Sequence, residues 1–273
     1  MFMKYDDFLS RTLQNAAQIA LDNFGKVNPL TKPGDNNQVL TEADIAIGQY
    51  IIKEIEREYP DYNIIDEEAG AIQKHSAFTW VVDPIEGTSN FASGSDDYGI
   101  MIGLLEEAVP IAGGVIVPSH GTMYIAEKGH GATKGGQSIH VTNETDLLKK
   151  LVSYGIDGYQ DEPDRTRTEG SLLAEIVLSI RNMRNSGCEA IDSMRVAEGV
   201  YGGRINMTSK IWDNVAPQII VQEAGGLWTD IDGIAIDYTE PLSRIEQNFT
   251  NCVGSPQLHN QLQLIIKKWK EQQ

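Results

Sequence analysis

The sequence predicts an α/β protein whose first half is α+β and whose second half is α/β. Apolar residues repeat at helical spacing over residues 4–24 and again over residues 41–59. Strand-like segments separated by Gly, Pro and Ser turns occupy residues 98–127. After about residue 142 strands and helices alternate, which favours helices on both faces of a second sheet. We expect two closely joined halves: residues 1–142 and 143–273.

The same patterns predict the individual elements. A loop rich in Pro, Gly, Asn and Lys over residues 28–37 separates the first two helices, and the glycine-rich residues 129–136 are predicted only to turn. A short strand over residues 63–65 leads into an acidic run. The helical stripes predict these buried residues: Phe8, Leu9, Leu13, Ala16, Ala17, Ala20, Leu21 and Phe24, then Ile45, Ile52, Ile55 and Tyr59. The second half is predicted to hold strands at 151–154, 182–185, 204–206, 227–229 and 251–253 and helices at 171–180, 189–200, 215–224 and 256–271.

Composition limits the class of partner. The chain has 273 residues, enough to bury a large core, and its formal net charge of −17 argues against nucleic acid or an anionic membrane. The two cysteines form no metal-ligand spacing, and no segment approaches the roughly 18 apolar residues of a membrane span. The chain begins without a basic region followed by an apolar run. We therefore expect a cytoplasmic protein, in which bound cations would have to attract any anionic substrate.

One stretch combines groups for a metal with groups for a phosphate. Residues 78–82 are β-branched and aromatic, as in a buried strand, and run into Asp83 and Pro84. Glu86 follows, and Gly-Thr-Ser at residues 87–89 opens the next element with bare backbone N–H groups. Carboxylates suit a hard cation, and N–H groups suit an anion. In isolation this stretch could be an ordinary strand exit. Acidic stretches elsewhere in the chain favour the metal and phosphate site instead.

Carboxylates recur at the ends of the predicted elements. Without cations such a cluster would repel itself, and oxygen ligands of this kind suit Mg²⁺. None of the five histidines has a partner at zinc-like spacing. The sequence therefore favours a metal-assisted phosphate site built from Asp44, Glu67, Glu68, Asp83, Glu86 and Asp213.

These stretches resemble the signatures of the inositol monophosphatase family. Residues 82–91, Val-Asp-Pro-Ile-Glu-Gly-Thr-Ser-Asn-Phe, resemble its Asp-Pro-Ile-Asp-Gly-Thr-Thr-Asn-Phe signature. Residues 211–216, followed by Glu-Ala-Gly-Gly at 223–226, resemble its C-terminal Trp-Asp signature. The run at 66–68 is similar to its Gly-Glu-Glu segment, and residues 41–44 to its Thr-x-x-Asp helix start. Two such specific motifs, far apart and in the family's order, rarely agree by accident.

The resemblance implies a layered α/β/α/β/α sandwich of the sugar-phosphatase type, with Mg²⁺-dependent activity, lithium sensitivity in many members and commonly a homodimer. The expected enzyme is inositol-1-monophosphatase-like and hydrolyses a small sugar or polyol phosphate by in-line attack of a metal-activated water. The implied cofactor is Mg²⁺, two or three ions, with Mn²⁺ as an alternative. Neither nucleic acid nor a membrane is an expected partner.

The resemblance also implies the metal ligands. The first ion would be held by Glu67, Asp83 and the backbone carbonyl of Ile85. The second would be held by Asp83, Glu86 and Asp213. A third, weaker ion would lie near Glu67, with Glu68 nearby.

The implied catalytic residues are Asp44, Glu67 and Thr88. Glu67 and the Thr88–Asp44 pair would orient the attacking water and take its proton. Asp44 also fits a capping box with Thr41, so capping alone is an alternative role. The implied substrate-binding residues are Gly87, Thr88 and Ser89, which present backbone N–H groups to the phosphate, together with Glu189, Asn206 and Asp213.

Four positions depart from the family pattern. Asp66 replaces the usual Gly and adds a carboxylate that the sequence does not explain. Glu86 replaces an Asp, and because Mg²⁺ tolerates little error around its octahedron, we expect a shifted or weaker second metal and a preference for Mn²⁺. Asn206 stands where inositol phosphatases carry a Glu that recognises sugar hydroxyls, and Glu189 where a small residue is usual. The alcohol pocket is therefore expected to be atypical. Lys32, in the loop, could reach the site or be solvated.

Other interpretations stay open at this point. A 3′(2′),5′-bisphosphate nucleotidase or a fructose-1,6-bisphosphatase-type member of the superfamily would share these motifs. A haloacid-dehalogenase phosphatase needs Asp-x-Asp near the N-terminus, whereas Asp83 and Glu86 lie three apart in mid-chain. A different class is a non-catalytic binding or regulatory relative, which the departures at Glu86 and Asn206 would suit.

Overall fold

The computed structural model describes residues 3–26, 30–31 and 39–272. The predicted loop over 28–37, with Lys32, falls outside them apart from residues 30–31. The helices are α1 (Asp6–Asn23), α2 (Glu42–Glu58), α3 (Thr88–Ser93), α4 (Pro163–Val177), α5 (Glu189–Ala197), α6 (Ile211–Glu223) and α7 (Pro256–Lys270). The strands are β1 (Leu30–Thr31), β2 (Val39–Leu40), β3 (Asn63–Asp66), β4 (Gly70–Ile72), β5 (Phe78–Glu86), β6 (Gly99–Glu106), β7 (Val109–Val117), β8 (Thr122–Glu127), β9 (Ala132–Lys134), β10 (Gln137–Ile139), β11 (Leu151–Gly155), β12 (Asn182–Arg184), β13 (Tyr201–Ser209), β14 (Leu227–Thr229) and β15 (Phe249–Gly254). Within these ranges, none of the helices combines the length and apolar character that crossing a bilayer requires.

Two larger sheets and one short hairpin organise the described strands. The first sheet has eight strands in the order β10-β9-β8-β7-β6-β5-β3-β4, and only β3 and β5 pair in parallel among its described strands. The second has five strands in the order β12-β11-β13-β15-β14 and is mixed. The first sheet ends with β10 and the second begins with β11, on either side of the predicted boundary near residue 142. The division of the chain into two halves there stays a prediction.

Helices and sheets alternate in five layers. α1 and α2 cover one face of the eight-stranded sheet, where Phe8 and Ile47 join the core around Trp80. α5 and α6 lie between the two sheets, and their side chains share a core with both. α4 and α7 pack on the outer face of the five-stranded sheet. This arrangement confirms the predicted α/β/α/β/α sandwich.

Several element boundaries and two burial predictions were wrong. Leu21 is 42% exposed and Ile45 is 40% exposed, because each helix buries a narrower stripe than its apolar residues suggested. α4 begins at Pro163, well before the predicted residue 171, since proline is well tolerated at the first helical position. The glycine-rich stretch after β8 holds the β9–β10 hairpin rather than only a turn.

Two glycines let α6 lie directly on the first sheet. A Cβ atom on Gly103 would sit 2.8 Å from the backbone nitrogen of Ala216, and one on Gly113 would sit 2.9 Å from its carbonyl oxygen. Any larger residue would push α6 away, because these neighbours are backbone atoms and cannot move alone. This close approach matters for the site, because α6 carries Asp213 and the sheet carries Asp83.

Candidate active site

Strand β5 carries the first two carboxylates. The strand was predicted to end at Val82, but it continues to Glu86, with an irregularity in its pairing with β6 between Asp83 and Glu86. Pro84 lies in that irregularity, so its missing N–H costs no ladder hydrogen bond. Val81, two residues before Asp83, packs in the core beneath α6. Alternation along the strand therefore aims Asp83 at the same side, towards α6.

Three carboxylates converge where β5 meets α6. Asp83, Glu86 and Asp213 each offer an oxygen, and these oxygens lie within 4.8 Å of one another. Burial, then repulsion from neighbouring carboxylates, raises the pKa of Asp83 and of Asp213, and burial raises the pKa of Glu86 to about 7. Among the described residues, neither carboxylate oxygen of the fully buried Asp83 has a hydrogen-bond partner. A buried, unpartnered, all-oxygen donor set of this kind fits a hard divalent cation.

Backbone hydrogen bonds orient two of these carboxylates. The N–H of Lys210 donates to Asp213 Oδ2 at 2.6 Å, at the start of α6. The N–H of Glu189, the first residue of α5, donates to Glu86 Oε1. The extra methylene of Glu86 is thus used to reach the start of α5. Each bond fixes a carboxylate through one oxygen, which leaves the second oxygen to act as a ligand.

Glu67 enters the site from the end of β3. Asp66 precedes it, and its Oδ1 accepts the N–H groups of Glu68 at 3.0 Å and of Ala69 at 2.8 Å. That turn gives Asp66 a structural role, which the sequence had left unexplained. Glu67 also contributes to the electrostatic repulsion that raises the pKa of Asp83. The structure therefore brings Glu67 to the carboxylate cluster.

The predicted Thr88–Asp44 pair is present. The Thr88 hydroxyl lies 3.2 Å from Asp44 Oδ1 and 2.8 Å from the carbonyl oxygen of Ile85. Asp44 Oδ2 meanwhile accepts the Thr41 N–H at 2.8 Å, and its capping box with Thr41 is complete. Burial is the main cause that raises the pKa of Asp44 to about 6. Asp44 therefore both caps α2 and contacts Thr88.

The short helix α3 begins at the cluster. Gly87 precedes it with φ 86°, a left-handed conformation that glycine adopts without strain. A Cβ on Gly87 would also lie 2.9 Å from the carbonyl oxygen of Asp97. The first N–H groups of a helix have no partner within it, and here they lie beside the carboxylates. Gly87, Thr88 and Ser89 all line the adjoining cavity.

A cavity of 720 Å³ opens over these groups. Of the residues predicted for the site, eight line it: Glu67, Glu86, Gly87, Thr88, Ser89, Glu189, Asn206 and Asp213. Three others are buried behind its wall: Asp44, Asp83 and Ile85. The structure thus places these eleven residues at or directly behind one cavity, whereas Glu68, which was also predicted for the site, is half-buried and does not line the cavity.

The cavity wall also contains a buried ion pair that the sequence analysis missed. Glu189 pairs with Arg204, with Oε1 2.5 Å from Nε, and both side chains are almost fully buried. Burial alone would raise the pKa of Glu189, but Arg204 lowers it. The Asn206 amide donates to Glu189 at 3.0 Å. Strand alternation was an available signal, because residues 204 and 206 of one strand share a face.

Removing divalent ions is expected to make stability fall as pH rises. The folded-state pKa is raised for Glu86, to about 7, and for Asp44, to about 6, so each contributes stability that is lost as pH rises through these values. We expect the melting temperature of the EDTA-treated protein to drop by several degrees between about pH 5 and pH 8. Saturating Mg²⁺ should restore about 5 °C at pH 8. Calorimetry with and without Mg²⁺ tests this, and a metal-free melting temperature that rises over this interval would contradict it.

Comparison with known proteins agrees with the motifs. The sequence profile of the inositol monophosphatase family matches residues 4–271. A relative from Aquifex aeolicus, described as a fructose-1,6-bisphosphatase/inositol-1-monophosphatase, is 29% identical over 260 residues, which cover 93% of this chain and 92% of the relative. A relative from Xylella fastidiosa, described as Nus factor SuhB, is 31% identical over 228 residues, which cover 83% of this chain and 82% of the relative.

Solved structures agree as well. A Thermotoga maritima IMPase has a TM-score of 0.86 with this structure at 26% identity, over 99% of both chains. An IMPase/NADP phosphatase complexed with Mg²⁺ and phosphate has a TM-score of 0.82 at 22% identity, over 96% of this chain and 94% of that one, and this likeness concerns the fold alone. The resemblance identified from the motifs is confirmed: the chain belongs to the inositol monophosphatase family.

Proposed function

We propose that the protein is a Mg²⁺-dependent phosphomonoesterase that acts on small sugar or polyol phosphates. The observation that carries this proposal is the convergence of Asp83, Glu86 and Asp213 beside the start of α3, with both oxygens of Asp83 unpartnered within the described ranges. The family and its named phosphatases support a phosphatase class. The Mg²⁺ and phosphate bound by a structural neighbour support the choice of ion.

The ligands of the ions follow from the donor set. Glu67, Asp83 and the Ile85 carbonyl would hold one ion, and Asp83 would share a second with Glu86 and Asp213. Bound Mg²⁺ supplies charge neutralisation for the phosphate and lowers the pKa of water. A third ion near Glu67, and a preference for Mn²⁺ caused by Glu86, remain part of the proposal.

The chain's own residues then position the reactants. The N–H groups of Gly87, Thr88 and Ser89 would bind the phosphate, since a helix start favours an anion. Thr88 would orient the attacking water, and the carboxylate of Asp44, 3.2 Å from the Thr88 hydroxyl, would accept the proton that this hydroxyl passes on. Glu67 would orient the same water from the other side. In-line attack would displace the alcohol into the cavity.

The assembly and the compartment are also proposals. We propose a homodimer in the cytoplasm, without nucleic acid or membrane partners. The net charge of −17 supports the exclusion of nucleic acid, because a phosphate backbone selects basic surfaces. Both cysteines are buried and free, as suits a reducing compartment.

A second candidate is a binding or regulatory protein. The name Nus factor SuhB, carried by a relative, favours keeping this candidate, and so do the departures at Glu86 and Asn206. Phosphate release separates the two candidates. The assay panel would contain inositol 1-phosphate, fructose 1,6-bisphosphate, an adenosine 3′,5′-bisphosphate and phenyl phosphate.

We expect turnover of at least one sugar or polyol phosphate with Mg²⁺ or Mn²⁺. EDTA should reduce that turnover by roughly 100-fold or more, because the ions carry most of the charge stabilisation. Adding back Mg²⁺ after EDTA controls for denaturation. No release from any substrate, with both ions tested, would favour the binding protein instead.

A further inference from the structure

The guanidinium of Arg204 lies in the wall of the cavity beside Glu189, whose N–H donates to Glu86 of the carboxylate cluster. Arg204 is 3% exposed and stands on the central part of β13. Its Nε is 2.5 Å from Glu189 Oε1, and its Nη2 donates to Glu189 Oε2. Its Nη1 lies 3.3 Å from the Ser153 hydroxyl oxygen and 3.5 Å from Asp192 Oδ2. The orientation of the guanidinium is therefore held from three sides.

These contacts leave one donor of Nη2 unused. A guanidinium has five N–H groups, and the contacts above comprise one hydrogen bond from each of Nε, Nη1 and Nη2, together with the ion pair between Nη1 and Asp192. Over the described ranges, the second hydrogen of Nη2 has no acceptor. Nη2 lies 3.4 Å from the position that a Cβ on Gly155 would take, and Gly155 lines the cavity. Nη2 therefore lies beside a residue without a side chain, and both Arg204 and Gly155 line the cavity.

The acceptors of Glu189 and Asn206, which line the cavity beside Arg204, are already occupied. Glu189 Oε1 accepts from Arg204 and from the Ser193 hydroxyl, and Oε2 accepts from Arg204 and from the Asn206 amide. The Asn206 Oδ1 accepts the N–H of Thr208 at 3.2 Å. The Glu189 carboxylate is thus engaged through both oxygens, and Arg204 adds a donor to the same part of the wall.

We propose that Arg204 determines specificity for the alcohol part of the substrate by donating from Nη2 to an acceptor oxygen. This inference rests on the proposed function. The substrate class is a phosphate monoester of a sugar or polyol that turns a hydroxyl lone pair, a ring oxygen or a carbonyl oxygen towards Gly155. Glu189 is then a positioning residue, which acts by holding Arg204. Phenyl phosphate offers no such oxygen and would bind without this contact.

Gly155→Ala tests the proposal without removing a charge. The new Cβ would lie 2.8 Å from Asn206 Oδ1 and 3.4 Å from Arg204 Nη2, and would cover the donor. A lost hydrogen bond to a charged group corresponds to a factor of roughly 10–100. We expect the ratio of kcat/KM for inositol 1-phosphate to that for phenyl phosphate to fall by at least about 10-fold. The cause should be a higher KM for inositol 1-phosphate. The control is Gly170→Ala, because a Cβ at that position in α4 meets nothing within 4 Å.

Arg204→Lys provides an independent variant. Lysine keeps a positive charge beside Glu189 and loses the planar fork that holds Nη2 towards Gly155. The same ratio of kcat/KM values should fall. In the double variant Gly155→Ala/Arg204→Lys, this ratio should be no lower than in the more affected of the two single variants. Thermal unfolding of each variant shows whether the fold is kept.

Calorimetric binding of inositol 1-phosphate adds a measurement that needs no turnover. The measurement uses the Asp44→Asn background, which prevents appreciable hydrolysis. With Mg²⁺ present, we expect Gly155→Ala to weaken the Kd about 10-fold, while the Kd of inorganic phosphate changes less. Unchanged selectivity and unchanged Kd in both variants would overturn the role of Arg204. So would a wild type that binds inositol 1-phosphate no better than phenyl phosphate. A wild type that binds but never releases phosphate would overturn the proposed function and leave the binding role supported.

Discussion

Asp83→Asn is expected to lower kcat/KM by at least about a thousandfold. Asp83 lies at the centre of the carboxylate cluster and would be shared by both proposed ions, so the amide removes a ligand from each. Metal ions contribute several kcal/mol of transition-state stabilisation, and each 1.36 kcal/mol is about tenfold in rate. Asp213→Asn should act in the same direction with a smaller effect, because it would affect one ion. Steady-state kinetics at saturating Mg²⁺ measures both.

A stability measurement separates this loss from unfolding. In the metal-free protein the fully buried Asp83 carries an unpaired carboxylate, which an amide of the same shape would not. We therefore expect Asp83→Asn to melt at a higher temperature than the wild type in EDTA and to lose most of the stabilisation by Mg²⁺. The control is Asp61→Asn, at an exposed position outside the cavity. Activity of Asp83→Asn within about tenfold of the wild type would contradict the proposed metal site.

Asp44→Asn is expected to lower kcat by roughly 10²–10⁴-fold, the usual contribution of a positioned acid or base. The amide can still accept the Thr41 N–H, so α2 should keep its cap. Thr88→Val should give a similar loss, because it removes the hydroxyl that contacts Asp44, whereas Thr88→Ser should keep most of the activity. Rate measurements with unchanged metal dependence would assign the effect to proton transfer.

The pH dependence of kcat tests whether Asp44 accepts the proton. Burial raises the pKa of Asp44 to about 6, and the carboxylate must be ionised to accept a proton, so kcat should fall as pH drops below about 6. In Asp44→Asn this acid limb should disappear from the residual activity. An identical acid limb in the variant would show that another group is responsible, and Asp44 would then be left with the capping role alone.

Short-range patterns predicted many of the helices and strands, whereas the layered sandwich and most of the site residues were implied by the resemblance to the family. The apolar stripes of α1 and α2, the alternation of β7 and β8 and the strand leading to Asp83 are all local signals. Local signals do not predict features that depend on packing between residues distant in the sequence. The continuation of β5 through Pro84 depends on its pairing with β6, and the position of α6 depends on its close approach to glycines of the first sheet.

The alcohol side of the cavity was the least predictable part. Glu189 and Asn206 were identified as departures, but their partner Arg204 was missed, although strand alternation places it on the same face as Asn206. The contact joins two elements whose relative position follows only from the assembled layers. A buried ion pair also leaves no trace in composition, because the same residue types dominate every surface. Specificity is therefore harder to predict here than the reaction class.

The most direct test of the metal site is a crystal soaked in Mn²⁺ with data collected at the manganese absorption edge. The account predicts an anomalous peak within about 2.5 Å of carboxylate oxygens from Asp83, Glu86 and Asp213. The peak should be absent from Asp83→Asn crystals soaked in the same way. Wild-type crystals with no peak between these three carboxylates, or with Asp83 and Asp213 too far apart to share an ion, would contradict it.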